Sequence, residues 1–293
     1  MQRKAIVTIV CGERYQQLWK RFSFPGWQKY AVRHGYELVV LEQPLDLTAR
    51  GENRSIAWQK LLVAGNPHVA KFDVMVWLDA DIVVNHWLAP CIASSLTSDR
   101  VGIAEETRLP GDLFSEMTKE NDRFWTSTLA RVGVPHPLDP YRRYGFAEPA
   151  ARYFNSGVMV IRPALHRELL EHVYNAYEDK GPLLNYEQIP LSYELATSGR
   201  YELIDPKYNV LWLQLLISFG YPHRLQSPSM LSGRAAFLAR LLSRVYFLHF
   251  AGAQHIMPDV ALLDIDREPV ALKLDVARAT LAKEMAEAAR VMS

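Results

Sequence analysis

One apolar run contains a pair of carboxylates and constrains the fold more than any other stretch. Residues 74–84 are almost entirely aliphatic or β-branched, and Asp79 and Asp81 interrupt them. A buried strand of a parallel sheet is apolar throughout, so the pattern predicts a strand over residues 72–84 that carries both carboxylates. Buried carboxylates are unfavourable without a partner, and Mg²⁺ or Mn²⁺ beside substrate phosphates is the simplest one. The alternative is that the two aspartates merely begin a turn.

Length and composition are those of an ordinary globular protein. The 293 residues suffice for one large α/β domain or two smaller ones, and 49% are hydrophobic. The net charge of +1 gives no electrostatic reason to expect nucleic acid as a partner. Cys11 and Cys91 supply neither a disulfide framework nor a thiolate zinc site. Because no signal peptide or membrane-spanning run is evident, we expect a cytoplasmic protein, with peripheral membrane contact as an open alternative.

The first forty residues predict a β-α-β unit. Residues 5–11 and 36–41 are rich in β-branched and aliphatic side chains, and two helical segments at 14–21 and 25–34 separate them. Gly35 stands where a helix ends. This order favours parallel strands with a right-handed crossover, so we expect an α/β fold with a mixed, mostly parallel sheet flanked by helices.

The remaining chain supplies further elements. Predicted helices cover residues 55–66, 86–96, 113–132, 163–179, 186–197 and 269–292, and predicted strands cover 101–104, 153–161, 201–204 and 245–250. Asn155-Ser156-Gly157 interrupts one apolar strand, where a glycine often marks the close approach of a ligand or backbone. The last strand delivers His249, although a lone histidine there is more often structural. Proline and glycine over residues 136–149 are typical of a lid-like loop.

Three motifs in a fixed order resemble those of a known class of enzymes. Asp79-Ala80-Asp81 is followed by Phe-Asn-Ser-Gly at 154–157 and by His-Phe-Ala-Gly at 249–252. The order resembles nucleotide-sugar glycosyltransferases of the GT-A fold, above all families eight and thirty-four, the glycogenin-like and galactomannan galactosyltransferase-like groups. The resemblance implies a Rossmann-like GT-A domain over 1–255, with acceptor-side elements at about 136–150 and 205–245. A C-terminal loop and amphipathic helix would cover 256–293.

The resemblance also implies a metal site and a donor site. Asp79, Asp81 and His249 would bind Mn²⁺ or Mg²⁺, which would bridge the two phosphates of a UDP-sugar. The residues expected to contact the nucleotide sugar are Cys11, Tyr15, Arg54, Lys60, Asp79 and Gly252. Helix packing is the alternative for Tyr15, and a solvated helix face is the alternative for Arg54 and Lys60.

Three further residues would act on the donor sugar. By resemblance, Asn155 would hydrogen bond the sugar or the reaction centre, Gln188 would lie beside the anomeric carbon, and Glu187 would bind sugar hydroxyls. The family pattern at the positions of Glu187 and Gln188 is Asp-Gln, so the glutamate of this chain has one methylene more than the family aspartate. Both families retain anomeric configuration. An inverting enzyme would need a carboxylate base, for which Glu105, Glu106 and Glu148 are available.

A second departure follows His249. Family eight continues into a Lys-Pro-Trp that clamps the diphosphate, whereas residues 253–257 are Ala-Gln-His-Ile-Met. The difference favours family thirty-four or an unassigned relative, with a protonated His255 as a substitute for the lysine.

The expected acceptor is a saccharide or a lipid-linked glycan. Arg234, Arg240 and Arg244 lie among apolar residues over 232–246, which fits a surface for anionic lipid, a core helix with a solvated edge, or a homodimer interface. Two other functions stay open. One is a haloacid-dehalogenase-like phosphohydrolase that uses Asp79 and Asp81, and the other is a sugar-nucleotide-binding protein without turnover.

Overall fold

The computed structural model describes residues 2–106, 140–218, 241–242 and 244–258. The strands in these ranges are β1 Lys4–Ile9, β2 Tyr36–Leu41, β3 Val74–Leu78, β4 Ile82–Val84, β5 Val101–Glu105, β6 Phe154–Ile161, β7 Tyr201–Leu203, β8 Val210–Leu211 and β9 Phe247–His249. The α-helices are α1 Glu13–Leu18, α2 Phe24–His34, α3 Ala49–Glu52, α4 Pro67–Ala70, α5 Pro140–Tyr144, α6 Pro163–Ala176, α7 Gln188–Ser198 and α8 Trp212–Ser218. A π-helical turn, Trp19–Ser23, joins α1 to α2.

The central sheet has six strands in the order β2-β1-β3-β6-β5-β7. β1 pairs in parallel with β2 and β3, and β5 pairs in parallel with β7. β6 runs antiparallel between β3 and β5. Every residue of β3 is buried, as expected for a strand covered on both faces. The predicted α/β fold with a mixed, mostly parallel sheet is confirmed.

Alternate residues of β3 enter two hydrophobic cores on opposite faces of the sheet. Met75 packs in one core with Trp58 and with apolar residues of α6. Val76 packs in the other core with Trp27 and Tyr30 of α2. This alternation follows from the two-residue period of a strand, and the two cores hold β3 rigidly below its C-terminal end.

The predicted strand over residues 72–84 is wrong in one respect, because the chain changes sheets within it. β3 ends at Leu78, whereas β4 belongs to a second sheet with the order β4-β9-β8. The amide of Asp79 donates to the carbonyl of Gly157 at 2.9 Å, and the amide of Ile82 donates to the carbonyl of Asp79 at 3.1 Å. The two aspartates therefore lie in a turn between two sheets. Apolar patterning cannot distinguish such a turn from a continuous strand.

Two of the predicted helices also differ from the structure. Residues 86–96 form no α-helix, because Pro90 lies in their middle and cannot donate a helical hydrogen bond; only a 3₁₀ turn, Ile92–Ser95, forms there. The segment predicted at 55–66 is a 3₁₀-helix, Ile56–Gly65, which begins with a hydrogen bond from the Ala57 amide to the Ser55 hydroxyl. The predicted end of a helix at Gly35 is confirmed, with a left-handed φ of 68°.

Several predictions fall outside the described residues. These are the helices at 113–132 and 269–292, residues 136–139 of the lid-like loop and most of the basic segment 232–246. The described part of the loop begins with α5. None of the helices in the ranges given above has the length and apolar character that crossing a bilayer demands.

Candidate active site

Three side chains converge at the turn between β3 and β4. Nε2 of His249 lies 3.3 Å from Oδ1 of Asp81 and 3.8 Å from Oδ2 of Asp79. Strand pairing produces this approach, because Ile82 of β4 lies opposite His249 of β9, and the amide of Phe250 donates to the carbonyl of Asp81 at 3.0 Å. One ligand atom from each of the three side chains lies within 4.8 Å of the others.

The cluster fits a divalent cation. Nε2 of His249 is buried and has no hydrogen-bond partner among the described residues. Its two distances to the carboxylates match the roughly 3 to 4 Å between neighbouring ligands that each lie about 2.1 Å from a small cation. Two carboxylates and an imidazole also suit Mn²⁺ and Mg²⁺. Gly157 makes room for the ring, since a Cβ there would lie 2.2 Å from Cε1 of His249.

Asp81 and His249 stabilise each other's charged forms. Burial raises the pKa of Asp81, but His249 and the hydrogen bond from Gln254 together lower it below its ordinary value. Burial likewise lowers the pKa of His249, but the charge and hydrogen bonding of Asp81 together with the charge of Asp79 raise it above its ordinary value. Nε2 of Gln254 donates to Oδ2 of Asp81 at 2.7 Å. Asp81 is thus kept ionised, which is the state that binds a cation.

Lys60 joins this cluster to Glu187. Its Nζ lies 2.9 Å from Oδ1 of Asp79 and 2.9 Å from Oε1 of Glu187, and its side chain is buried. Burial lowers the pKa of Lys60, but the two carboxylates together raise it above its ordinary value. Burial raises the pKa of Glu187. The hydroxyl of Ser156 donates to Oε1 of Glu187 at 2.8 Å. The solvated-face alternative for Lys60 is wrong.

Asn155 and Gln188 lie together in a buried network. Nδ2 of Asn155 donates to Oε2 of Glu106 at 2.6 Å and to Oε1 of Gln188 at 3.1 Å. Nε2 of Gln188 donates to Oε2 of Glu106 at 3.2 Å and to the hydroxyl of Tyr153 at 2.7 Å. Burial raises the pKa of Glu106. The amide of Gln188 is therefore held in one orientation by partners at both ends.

The backbone just before Glu187 and Gln188 is strained. Asn185 and Tyr186 have φ values of 50° and 51°, a left-handed conformation that costs about 1–2 kcal/mol for a residue with a side chain. Nδ2 of Asn185 donates to the hydroxyl of Tyr153 at 2.7 Å, which helps to hold this conformation. Since α7 begins at Gln188, the strained pair sets the direction in which both side chains enter the site.

The described residues show no contact between the cluster of Asp79, Asp81 and His249 and three of the predicted donor residues, Cys11, Tyr15 and Gly252. Cys11 is partly buried and follows β1, whose C-terminal end lies beside that of β3. Tyr15 is 50% exposed on α1, which buries no residue, and this exposure contradicts the helix-packing alternative. Gly252 has a φ of 69° in the turn that follows β9.

Arg54 is engaged away from the metal cluster. Its guanidinium donates to the carbonyls of Tyr174 and Tyr177 and pairs with Glu178 at 3.0 Å. The side chain is buried, so the solvated-face alternative is wrong here too. Each of these partners lies in or just after α6, and Arg54 therefore stabilises the docking of that helix.

Sequence reasoning missed three residues of the site, which are Tyr153, Asn209 and Gln254. Glu106 was named only as a base for an inverting reaction. One signal was available for Asn209, because a polar residue directly before the buried strand β8 must find a partner. Tyr153 and Gln254 flank two of the recognised motifs, but nothing in their local pattern indicates a role.

Comparison with known proteins identifies the family. The model of "Glycosyl transferase family 8" matches residues 66–253, which is more than half of the chain. No curated protein sequence matches.

Solved structures of glycosyltransferases share the fold at low identity. The apo structure of the bifunctional glycosyltransferase WbbM is 13% identical with a TM-score of 0.51, and the match covers 94% of this chain and 52% of that chain. A glycosyltransferase involved in the glycosylation of the major capsid of PBCV-1 is 15% identical with a TM-score of 0.49, covering 87% and 98%. The galactosyltransferase LgtC in complex with donor and acceptor sugar analogs is 12% identical with a TM-score of 0.46, covering 89% and 96%.

The family match decides between a glycosyltransferase and a phosphohydrolase. It includes the turn with Asp79 and Asp81 as well as His249. The preference for family thirty-four or an unassigned relative, which depended on the missing Lys-Pro-Trp after that histidine, is therefore wrong. A glycosyltransferase is supported, and the phosphohydrolase alternative is wrong. The predicted GT-A fold is confirmed by the mixed sheet and its likeness to glycosyltransferase structures. The chain belongs to glycosyl transferase family 8.

Proposed function

We propose that this enzyme transfers a hexose or pentose from a UDP-sugar to a saccharide or lipid-linked glycan, depends on Mn²⁺ or Mg²⁺, and retains the anomeric configuration. The observation that carries the proposal is the cluster of Asp79, Asp81 and His249, whose ligand atoms lie within 4.8 Å of one another. Family membership supports the reaction class. The division at residue 255, the membrane contact and the homodimer also stay proposals.

Asp79, Asp81 and His249 would hold the cation. A bound cation there would act as a Lewis acid on the diphosphate leaving group, which gains negative charge as the glycosidic bond breaks. Lys60, 2.9 Å from Asp79, keeps that carboxylate oriented and offsets part of its charge. Nε2 of Gln254 orients the carboxylate of Asp81 through a hydrogen bond. The site is therefore organised before a donor binds.

Asn155, Glu187 and Gln188 would face the donor sugar. The network from Asn155 to Tyr153 fixes the Gln188 amide, so little reorganisation is needed when the sugar arrives. Lys60 and Ser156 both bind the carboxylate of Glu187, so the glutamate at the position of the family aspartate has two partners.

Retention follows if the acceptor hydroxyl attacks from the face that the diphosphate leaves. The diphosphate itself then accepts the acceptor proton, and no protein base is required. The three carboxylates available for an inverting base are differently placed. Glu105 pairs with Arg152, Glu106 is held by the Asn155 and Gln188 amides, and Glu148 is exposed. Proton NMR of the anomeric signal of the first product separates the two outcomes.

The proposal is tested by thermal unfolding with UDP, GDP and their sugar conjugates, each with and without Mn²⁺. A ligand at a hundredfold its Kd adds about 2.7 kcal/mol to the free energy of unfolding. We expect a rise in Tm that requires both UDP and Mn²⁺, and we expect folded Asp81→Asn protein to lack it. An equal rise without metal, or an unchanged rise in the variant, would contradict the metal site. No rise with any nucleotide would contradict the donor.

A further inference from the structure

A chain of three hydrogen bonds connects a backbone amide of β6 to the imidazole of His249. The amide of Gly157 donates to Oδ1 of Asn155 at 2.9 Å, and Nδ2 of Asn209 donates to the same oxygen at 2.8 Å. Oδ1 of Asn209 lies 2.9 Å from Nδ1 of His249. The side chains of Asn155, Asn209 and His249 are all buried, so water does not compete for these bonds.

The direction of each bond follows from the first donor. A backbone N–H can only donate, so Asn155 must present its oxygen to Gly157. That oxygen can only accept, so Asn209 must present its nitrogen to Asn155 and its oxygen to His249. A carbonyl oxygen cannot donate, and Nδ1 of His249 therefore carries hydrogen.

This assignment determines what the other ring nitrogen can do. In the neutral imidazole, hydrogen on Nδ1 leaves the lone pair on Nε2. This atom is buried, faces Asp79 and Asp81, and has no hydrogen-bond partner in the part of the chain that the structure describes. A histidine that binds metal through one ring nitrogen almost always donates a hydrogen bond from the other. Loss of the group that accepts this bond typically weakens metal binding about 10–100-fold.

We propose that Asn209 is a positioning residue with two separable effects, which rests on the proposed metal site. Its oxygen fixes the ring of His249 so that Nε2 can bind the cation, and its nitrogen fixes the amide of Asn155. The fold places it for this role, because Val210 and Leu211 of β8 pair with Leu248 and His249 of β9. Asn209 therefore couples the metal site to the residues that face the donor sugar.

The second effect reaches the reaction centre through Asn155. With its oxygen held by two donors, Asn155 directs Nδ2 to Glu106 and to Oε1 of Gln188. A loss of the Asn209 nitrogen removes one of the two donors and leaves the other, the Gly157 amide. We therefore expect the side-chain amide of Asn155 to become less ordered but not to rotate fully by 180°. Turnover should then fall while metal binding persists.

Two substitutions in the full chain separate these effects. Asn209→Asp is isosteric and keeps an oxygen beside Nδ1 of His249, but it removes the donor to Asn155. We expect Mn²⁺ affinity within about threefold of wild type and at least a tenfold lower kcat. Asn209→Leu removes both partners, and we expect Mn²⁺ affinity to fall about 10–100-fold. Electron paramagnetic resonance of free Mn²⁺, without nucleotide, measures the affinity.

A second readout does not depend on metal or turnover. The ring ¹⁵N shifts of His249 in metal-free protein, at a pH where the imidazole is neutral, show which nitrogen carries hydrogen. We expect hydrogen on Nδ1 in wild type and in Asn209→Asp, and on Nε2, facing the carboxylates, in Asn209→Leu. If Asn209→Leu does not fold, Asn209→Asp still tests the inference, because it should keep hydrogen on Nδ1 of His249 and retain Mn²⁺ affinity.

Asn85→Asp is the matched control, since Asn85 is a buried amide that donates to the carbonyl of Leu242. It should lower stability and leave Mn²⁺ affinity unchanged. The inference would be overturned if Mn²⁺ affinity fell equally in Asn209→Asp and Asn209→Leu, or stayed at the wild-type value in Asn209→Leu. It would also be overturned if Nε2 of His249 carried the hydrogen in the wild-type protein. A wild-type enzyme that binds no Mn²⁺ would instead refute the proposed metal dependence, and the ring shifts would still test the effect of Asn209 on His249.

Discussion

Gly157→Ala should disturb His249, and with it the proposed metal site of Asp79, Asp81 and His249, through a steric overlap that begins in β6. A Cβ at this position would lie 2.2 Å from Cε1 and 2.7 Å from Nδ1 of His249, and 2.9 Å from Oδ1 of Asn155. Ordinary contacts are longer than about 3.4 Å, so the ring must retreat by roughly 1 Å. The ring is buried and bonded to Asn209, and it cannot retreat without moving Nε2 relative to Asp79 and Asp81.

The expected magnitudes follow from this overlap. Overpacking in a buried strand costs about 1–3 kcal/mol, which lowers Tm by about 2–10 °C for a chain of this size. A displacement of about 1 Å at a metal ligand should weaken Mn²⁺ binding at least tenfold, or about 1.4 kcal/mol. Calorimetric titration of UDP in the presence of Mn²⁺, below the Tm of the variant, measures the loss.

Gly102→Ala is the control for this experiment. Gly102 lies in β5, and a Cβ there would meet Leu96, Ile204 and Val160 at 2.6 to 3.1 Å, away from the metal cluster. It should lower Tm by a similar amount and leave Mn²⁺-dependent UDP binding intact. The reasoning is refuted if folded Gly157→Ala protein binds UDP and Mn²⁺ as tightly as wild type, or if both variants lose binding equally.

Two other predictions test different parts of the molecule. Gln188→Ala should lower kcat far more than UDP affinity, because its amide is expected beside the anomeric carbon; a pure loss of UDP affinity in titration would place it elsewhere. His166 is held neutral, since Nδ1 accepts from the Arg162 amide at 3.0 Å and Nε2 lies 2.7 Å from the Asp99 carbonyl. Burial first, and then neighbouring arginines, lower its pKa to about 4. The unfolded chain binds this proton near pH 6.5, so the stabilisation is complete above that pH and is lost as pH falls towards 4. In His166→Gln, the free energy of unfolding measured with urea should fall less steeply between those pH values than in the wild-type protein. An unchanged slope of this free energy against pH would contradict the neutral state of His166.

Local patterning was sufficient for most of the framework. The strand predicted at 36–41 has the same bounds as β2, and the helix before it ends at Gly35 as predicted. These features depend on neighbouring residues, whose spacing and backbone preferences can be read directly. The break between β3 and β4 could not be read in this way, because both sides of Asp79–Asp81 are equally apolar and only pairing with different partners separates them.

The candidate site divides along the same line. Asp79, Asp81 and His249 were predicted together because their motifs resemble a family, and the structure brings them within one cluster. Arg54 was expected at the donor but donates to carbonyls in and just after α6. Its sequence neighbourhood could not indicate this, since those partners lie about 120 residues further along the chain.

The sequence by itself determined where the strands of the central sheet lie, which carboxylates form the pair and, by resemblance, the reaction class, but not the turn that carries the pair. Only the tertiary structure decided how those groups are held: Lys60 between two carboxylates, and Asn209 between His249 and Asn155. The physical reason is range. Strand propensity and the residues of a short motif are local properties of the chain. The hydrogen bonds of Asn209, at 2.9 Å to His249 40 positions away and at 2.8 Å to Asn155 54 positions away, depend instead on strand register and on the packing of two sheets.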